Sequence, residues 1–494
     1  MTKINLEQSE VEVREKRLGS ITGFNGTAKE LISYCQDGKP KECNRNFSQC
    51  TGCNASTAFC QLAMIRDIAV VNHAPVGCAG EFYNYNFIFR VGQKQRGVDN
   101  PIHGRYFNTN IQERDTVFGA SDKLIETIRE AYRRVNPKVI FVTTSCASGI
   151  IGEDVEQISQ TLSEELGIPV IYCSCEGFRS RIWTTGFDAA YHSILRGIVK
   201  EPRKRVKRIN VINFWGSHVF DKLFKRLGYE LQYIIPFSKV EDLEYISEAT
   251  ATIQICSTLS TYLAAGLEQL YGVIEIKSPP AFGINGTDIW MREIGRVLDC
   301  GDEIEKIIQE QHEKVRPEIE KYREKFKGKK AYVTAGAAHG HALMALLKDL
   351  GFEVEGAAIF HHDPIYDNGD KTSDALAQMV EYHGDVKNYS VCNKQIYELV
   401  NSLNKSKADV IIARHMGMTT CAAKLGIPSL LVTDEQFIIG YEGILKFASR
   451  VFDALDKDEF IINYSKHCKL PYSKWWLEQN PFLFLGGNNH VENY

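Results

Sequence analysis

The stretch KVIFVTTSCASGIIGEDVEQISQTLSEELGIPVIYCSC, residues 138–175, decides the fold. KVIFVTTSC is a continuous apolar run that predicts a buried strand, and IPVIYCSC predicts the next strand. Between them, EDVEQISQTLSEEL has the spacing of an amphipathic helix with acidic residues in its first turn. Apolar strands that alternate with helices are typical of a parallel sheet covered by helices, so this stretch predicts an α/β domain.

The same alternation continues along the chain, whose 494 residues allow about three domains. The charged segment 302–327 predicts a helix that bridges two units, with Pro317 as a kink or break. A polar lead-in with one possible helix comes first, and an aromatic arm that packs on a partner comes last. We therefore predict an α/β fold of three Rossmann-like domains, with mostly parallel sheets around a central cofactor pocket. The predicted domains are residues 1–208, 209–328 and 329–494.

Composition excludes several classes of function. Apolar residues make up 44% of the chain, charged residues 24%, and the net charge is −4, so no nucleic-acid partner is expected. No run of about 18 apolar residues is present, so no membrane partner is expected either. The amino terminus resembles neither a secretory signal nor a transit peptide, which predicts a cytoplasmic protein. Fourteen cysteines in such a protein are expected to be reduced thiols or ligands of iron or another soft metal.

Several cysteines follow predicted strands directly. Cys78 comes after DIAVVNHAPVG, Cys146 after KVIFVTTS and Cys256 after ATIQI. Ligands of open α/β sheets bind beyond the carboxyl ends of the strands, which favours these thiols as site residues. The alternative is that some of them are small buried core residues. The chain has no P-loop, so it is not expected to hydrolyse ATP itself.

Five motifs resemble those of the nitrogenase component 1 superfamily. They are HAPVGCAG (73–80), TTSCASGIIGEDVE (143–156), CEGFRS (175–180), QICS (254–257) and IFHHDPIYD (359–367). Their order and spacing match the family over roughly residues 45–450. The chain is more similar to the cofactor-carrying, alpha-type subunit than to its partner, because Cys256 stands at the position of the cofactor cysteine.

The resemblance implies two metal sites. In the family, three cysteines of each subunit hold half of an iron–sulfur relay cluster, the P-cluster, at the interface with a related subunit, and Cys53, Cys78 and Cys146 match them. Cys256 matches the cysteine that holds one end of a large iron–sulfur cofactor, whose heterometal the sequence does not define. The implied partners are a beta-type subunit in an α2β2 heterotetramer, an ATP-dependent iron–sulfur reductase homodimer and a small-molecule substrate. The nearby thiols of Cys50 and Cys60 are alternative ligands of the relay cluster.

The pocket residues depart from those of dinitrogen-reducing enzymes. Residues 430–443 contain no histidine, although those enzymes hold the other end of the cofactor there with one. Trp183 and Phe187 stand where those enzymes carry polar residues after the CEGFR motif. Glu435 could supply an oxygen ligand, so Phe187 and Glu435 join Cys256 as predicted cofactor-binding residues. The candidates for a second ligand or a proton donor are His339, His341, His361, His362 and His415.

Of these, His339, His341 and His362, together with Trp183, are the predicted catalytic residues. The resemblance implies the catalytic subunit of a nitrogenase-like reductase, with carbon–sulfur bond cleavage of methylthio-alkanes as the first reaction to test. Three alternatives remain: a scaffold for nitrogenase cofactor maturation, a divergent dinitrogen-reducing enzyme and a dark-operative tetrapyrrole reductase.

Overall fold

The computed structural model describes residues 2–38, 44–45, 52–80, 82–212, 218–392, 396–415, 417–432 and 438–486. Helices cover three main sheets, two of which have four parallel strands and one of which has six strands. Only one of the six strands in the largest sheet is antiparallel to its neighbour. The predicted α/β class with mostly parallel sheets is therefore confirmed. Across these described stretches, no helix is long and apolar enough to cross a membrane.

The first sheet contains the stretch that decided the fold. In spatial order its strands are Tyr106–Asn108, Ile68–His73, Val139–Thr144 and Val170–Cys173. Every residue of the two central strands is buried, which explains why both read as continuous apolar runs. The helices around these strands are Asn54–Leu62, Phe82–Gln95, Glu113–Phe118, Ser121–Val135, Cys146–Ile151, Val155–Leu166 and Thr185–Gly197.

The second sheet has the strand order Ile274–Ile276, Ala249–Gln254, Val206–Ile212 and Glu230–Ile234. All its strand pairs are parallel. The accompanying helices are Asp221–Arg226, Val240–Glu244, Ser257–Tyr271, Gly283–Leu298 and Gly301–Phe326.

The third sheet has the strand order Gly23–Gly26, Asn388–Cys392, Glu353–Ile359, Lys330–Ala335, Val410–Ala413 and Ser429–Leu431. The helices near it are Ala337–Asp349, Ala375–His383, Ile396–Lys405, Met418–Lys424, Gly440–Asp456, Glu459–Lys466 and Lys474–Glu478. Its first strand, Gly23–Gly26, pairs antiparallel with Asn388–Cys392, although the sequence predicted only a polar lead-in with one helix there.

The amino-terminal segment contacts the residues around all three sheets. The Ile4 N–H donates to Gln269 Oε1 over 2.9 Å, on the helix that follows the second sheet's strand Ala249–Gln254. The Gln8 carbonyl accepts from His192 Nε2 over 2.7 Å, near the first sheet. Strand Gly23–Gly26 then joins the third sheet. The helix of the lead-in is Ala28–Gln36, which Thr27 caps through its hydroxyl, and a single turn spans Arg14–Arg17.

The structure contradicts the predicted break at Pro317 and does not test whether the carboxyl-terminal arm packs on a partner. Helix Gly301–Phe326 runs through Pro317 without a break, because buried residues on both sides of the proline, from Ile304 to Ile319, pack on the same core. The carboxyl-terminal arm packs on its own chain. Trp476 is buried there and donates from Nε1 to the Tyr397 carbonyl over 3.1 Å.

Candidate functional site at the ends of the sheets

Three thiols meet at the carboxyl end of the first sheet. Strands Ile68–His73 and Val139–Thr144 are neighbours that end in register at His73 and Thr144, so the turns that follow them are adjacent. The first turn carries Cys78 and the second begins the helix Cys146–Ile151. Cys53 precedes helix Asn54–Leu62 and completes the group, which we call the surface thiols: Cys53, Cys78 and Cys146.

Gly177 lies between two of these thiols. A Cβ atom on Gly177 would lie 3.0 Å from Cys53 Sγ and 3.1 Å from Cys146 Sγ, so the two sulfurs flank one point. Burial, followed by the charges of Cys53 and Cys146, raises the pKa of the Cys78 thiol, which places the third sulfur near the other two. Three thiolates together need a metal to neutralise their charge, and thiolates are the ligands of iron–sulfur clusters.

The surroundings of the surface thiols are open and apolar. Cys78 and Cys146 are exposed, and so are Val76 at 66%, Ile150 at 78% and Phe178 at 60%. In the described part of the chain, no group of three or more His, Cys, Asp or Glu side chains is arranged to hold a single metal ion. The exposed apolar side chains around these thiols are typical of a surface that binds another chain.

Cys256 lies at the end of the second sheet and is deeply buried. It follows strand Ala249–Gln254, precedes the first turn of helix Ser257–Tyr271 and is 3% exposed. The positive end of a helix stabilises a thiolate at this position. Its surroundings also contain a cation, because Arg14 Nη2 donates to the Thr258 carbonyl over 2.6 Å. The donor set thus suits a thiolate that binds a soft metal.

Arg14 is fully buried and links the ends of the three sheets. Its guanidinium donates to Asp188 from Nε over 2.9 Å and from Nη2 over 2.7 Å, and to Thr184 from Nη1 over 3.0 Å. Asp363, after the third sheet's strand Glu353–Ile359, lies 3.9 Å from Nη1. Although burial lowers the pKa of Arg14, Asp188, Asp363 and Cys256 raise it above its ordinary value. This role of Arg14 could not be predicted, because the segment VREKR (13–17) resembles a charged segment exposed to solvent.

Trp183 and Phe187 pack near each other, with their ring planes tilted by 58°, between the first and third sheets. Their ring centroids are 6.1 Å apart, and the His415 ring lies 5.9 Å from Trp183 in a perpendicular arrangement. Trp183 also packs on Gly52, where a Cβ atom would approach the indole to 2.6 Å. This aromatic group therefore extends from the neighbour of Cys53 to the end of strand Val410–Ala413. The predicted roles of Trp183 and Phe187 remain proposals.

The predicted catalytic histidines occupy two different places. His339 stacks on Phe282 at 5.3 Å, and burial, followed by the charge of Arg414, lowers its pKa well below the ordinary value. The ring centroids of His341 and His362 lie 5.8 Å apart. These two contact Tyr389 and Cys35 respectively, with His341 Nε2 2.7 Å from the Tyr389 hydroxyl oxygen and His362 Nε2 3.3 Å from Cys35 Sγ.

His361 has the arrangement of a ligand or proton donor more clearly than the other histidines. Its Nδ1 lies 3.2 Å from Asp363 Oδ1, whose carboxylate also accepts from the Ser20 hydroxyl. Burial alone would raise the pKa of Asp363, but His361, Arg14 and Ser20 lower it strongly. His361 Nε2 is buried without a hydrogen-bond partner among the described residues. A carboxylate on one imidazole nitrogen leaves the other nitrogen to bind a metal or hold a proton. Glu435 and Cys50 lie outside the described residues.

The fold and the thiols together define a class of protein: an α/β chain with open thiols at one sheet end and a single buried thiol at another. The chain belongs to the family of nitrogenase component 1 type oxidoreductases, whose family model matches residues 53–456. The predicted family is thereby confirmed.

Individual relatives fall into two groups. The chain is 28% identical over 311 residues to the nitrogenase molybdenum-iron protein alpha chain of Clostridium pasteurianum. This match covers 60% of the present chain and only 58% of the Clostridium chain. It is 25% identical over 455 residues to the nitrogenase iron-molybdenum cofactor biosynthesis protein NifE of a Nostoc species. This match covers 87% of the present chain and 91% of the Nostoc protein. Among solved structures, nitrogenase Cp1 at pH 6.5 has a TM-score of 0.69 at 20% identity, with 88% and 94% of the two chains covered, and thus shares the fold.

Proposed function

We propose that this chain is the catalytic subunit of a nitrogenase-like reductase. In this function Cys53, Cys78 and Cys146 would hold a P-cluster-like cluster for electrons from an ATP-dependent iron–sulfur reductase, and Cys256 would hold the large iron–sulfur cofactor. The cofactor supplies the redox chemistry, and the chain's own residues bind and orient the substrate. Since this reaction needs ATP and reduced thiols, we propose a cytoplasmic location.

The observation that carries the proposal is the convergence of the surface thiols around Gly177 on an open apolar surface. Thiols that served only the core would be buried, whereas Cys78 and Cys146 are exposed beside Val76 and Ile150. The three thiolates form an incomplete ligand shell, which a related beta-type subunit completes in an α2β2 heterotetramer.

The aromatic surroundings of the pocket support a small, apolar substrate. Trp183 and Phe187 are largely buried and their ring centroids lie 6.1 Å apart, so in the proposed pocket they would offer a polar substrate few hydrogen bonds. We therefore propose thioether reduction, with carbon–sulfur bond cleavage of methylthio-alkanes, as the reaction. His361 is placed to hold a proton for the leaving sulfur, because Asp363 orients its ring. Dinitrogen reduction by a divergent enzyme is the alternative reaction of the same subunit.

A second function, a scaffold on which a nitrogenase cofactor is matured, is supported by the match to the Nostoc NifE protein, which covers 87% of this chain. A match to a molybdenum-iron alpha chain also covers 87%, so coverage does not separate the two functions. A scaffold needs only one firm ligand for a cofactor that it later releases, and Cys256 would provide it.

Anaerobic purification of the complex tests both functions. The complex with its beta-type partner is analysed for iron and molybdenum, and thioether turnover is measured with the reductase and ATP. We expect turnover with a firmly retained cofactor. Retention without turnover of thioethers or dinitrogen would contradict the catalytic proposal, and release of the cofactor to an acceptor protein would support the scaffold.

Substitutions test the relay cluster separately. The double variant Cys53→Ala/Cys78→Ala is expected to lose the interface cluster and its share of the iron. Cys60→Ala is the matched control, because Cys60 is a fully buried thiol on the neighbouring helix Asn54–Leu62. Full iron content in the double variant would refute the assignment of the surface thiols.

A further inference from the structure

Glu275 is a buried carboxyl group that neither thiol site uses. It lies on strand Ile274–Ile276, and its side chain is completely buried. Its Oε2 atom accepts no hydrogen bond from any residue that the structure describes. An acid without full hydrogen bonding is more stable as the neutral form in such a place, and burial raises the pKa of Glu275 to about 7. A carboxyl group that can both hold and release a proton at neutral pH is suited to proton transfer.

Lys277 connects Glu275 with solvent. Lys277 Nζ lies 3.6 Å from Glu275 Oε2, and the lysine side chain is 44% exposed. The other charged groups that face Glu275 are Glu268, on the helix packed against this strand, and Arg17 in the amino-terminal segment. Lys277 and Arg17 lower the pKa of Glu275 and Glu268 raises it, but burial outweighs them. The carboxyl group itself is buried, so Lys277 provides its link to solvent, and a pKa of about 7 divides the group between acid and carboxylate at neutral pH.

The other side of Glu275 faces the surroundings of Cys256. Gln254, on the adjacent strand Ala249–Gln254, donates from Nε2 to Glu275 Oε1. Gln254 Oε1 accepts from the Ser260 hydroxyl over 3.2 Å, and the same hydroxyl lies 2.7 Å from the Cys256 carbonyl oxygen. Burial and the charges of Glu275, Asp367 and Cys256 raise the pKa of Tyr366 well above its ordinary value. Tyr366 therefore lies within electrostatic reach of both Glu275 and Cys256, with its hydroxyl protonated at neutral pH.

We propose that Glu275 is the proton-relay residue of the Cys256 pocket, which takes protons from solvent beside Lys277 and releases them by way of Tyr366 toward the substrate. The inference rests on the proposed function, since only a reduction consumes protons at this place. Cleavage of a carbon–sulfur bond takes two electrons from the iron–sulfur reductase and two protons, which end in the new C–H and S–H bonds. Each proton that leaves Glu275 is replaced from solvent, so the residue returns to its starting state.

The first experiment does not depend on turnover. Infrared difference spectra of the complex without cofactor are recorded across the neutral pH range for the wild type and for Glu275→Gln. We expect a protonated-carboxyl C=O band that disappears as the pH rises through about 7 and that is missing in the variant. A wild type whose spectrum matches that of the variant over this range would overturn the proposal, because Glu275 would then carry no exchangeable proton.

The second experiment measures proton delivery in the loaded complex. We expect Glu275→Gln to slow substrate reduction by roughly 100-fold and to change the solvent isotope effect, with iron content and the spectra of both clusters unchanged. Glu398→Gln is the matched control, because Glu398 is also buried but lies on helix Ile396–Lys405, accepts from Cys392 Sγ over 3.0 Å and does not shift the pKa of Glu275. Glu275→Asp, which keeps a carboxyl group, should restore part of the rate and guards against a folding defect in Glu275→Gln.

The outcomes separate this inference from the proposed function. Normal turnover with an unchanged pH profile in Glu275→Gln would overturn the relay and leave the reductase intact. A wild type that reduces nothing would count against the reductase and, with it, against a relay that serves reduction, whereas the infrared titration would still report the neutral carboxyl group at Glu275.

Discussion

Cys53 and Cys146, 93 positions apart in the chain, direct their sulfurs at the same glycine. The Cβ position of Gly177 lies 3.0 Å from one sulfur and 3.1 Å from the other, so a side chain there would occupy the space between them. The geometry of the two thiols thus depends on a residue that has no ligand atom. The CEGFRS motif contains this glycine, but no sequence pattern assigned it a role.

We predict that Gly177→Ala prevents loading of the surface thiols. The methyl group would press on both sulfurs and displace them from the cluster position, so iron content should fall to the share of the Cys256 cofactor. Gly301→Ala is the control, because a Cβ there would meet nothing within 4 Å. Iron analysis of both variants, purified with the partner subunit, checks the prediction. Full iron content in Gly177→Ala would contradict it.

Removal of the Cys256 thiol should have the complementary effect. We expect Cys256→Ala to retain the cluster of the surface thiols and to lose the pocket cofactor, because the two sites share no ligand. Electron paramagnetic resonance of the reduced complex distinguishes the two clusters. An unchanged cofactor signal would show that Cys256 is only a core residue, which its 3% exposure would also allow.

Arg14→Met should destabilise the fold strongly. The substitution leaves Asp188 buried with only Arg17 as a charged partner, at 3.0 Å, and removes the link between the three sheets. Removing one partner of a buried ion pair lowers the free energy of unfolding by about 3–5 kcal/mol. Arg129→Met, which breaks an exposed pair with Glu165, should cost less than about 1 kcal/mol. Thermal unfolding of the two variants, compared with the wild type, measures the difference, and equal midpoints would refute it.

Acid should destabilise the apoprotein through His362. Burial lowers the pKa of His362 from 6.5 to about 4, so the unfolded chain takes up the proton first as the pH falls. The stability that the neutral imidazole provides is fully present above pH 6.5 and is lost progressively between pH 6.5 and about 4. The largest loss in the free energy of unfolding from this group is about 3 kcal/mol. His362→Gln, which cannot titrate, should flatten the dependence of the unfolding midpoint on pH in this window. An unchanged slope would show that other groups dominate.

Charge on the apolar surface should prevent assembly. Ile150→Glu places a carboxylate beside Cys146, and we expect it to abolish co-purification with the beta-type partner without loss of the subunit's own fold. Phe460→Glu is the control, because Phe460 is equally exposed, at 72%, on a helix far along the chain. Size-exclusion chromatography of the mixed subunits checks the result. Loss of assembly in both variants would mean that the surface around Cys146 has no special role.

The sequence predicted those parts of the structure that local patterns encode. Apolar runs located strands such as Val139–Thr144, and the rule that sites lie at the carboxyl ends of parallel strands selected Cys78, Cys146 and Cys256. Arg14 was not predicted, because its charge partners Asp188 and Asp363 lie far away in sequence and nothing nearby distinguishes a buried arginine from a solvated one. Glu275 was also missed, because nothing in the stretch GVIEIK indicates that this carboxyl group is buried.

The pairing of strand Gly23–Gly26 with Asn388–Cys392 sets the order in which the protein can be completed during synthesis. The first of these strands leaves the ribosome early, and its partner emerges several hundred residues later. Until then the early strand has no sheet to join, and the amino-terminal segment cannot settle over the site that holds Arg14. Pairing between such distant segments is slow, since the loop entropy is lost before the contacts form. Assembly of the three sheets around Cys256 therefore finishes only after the ribosome has made nearly the whole chain.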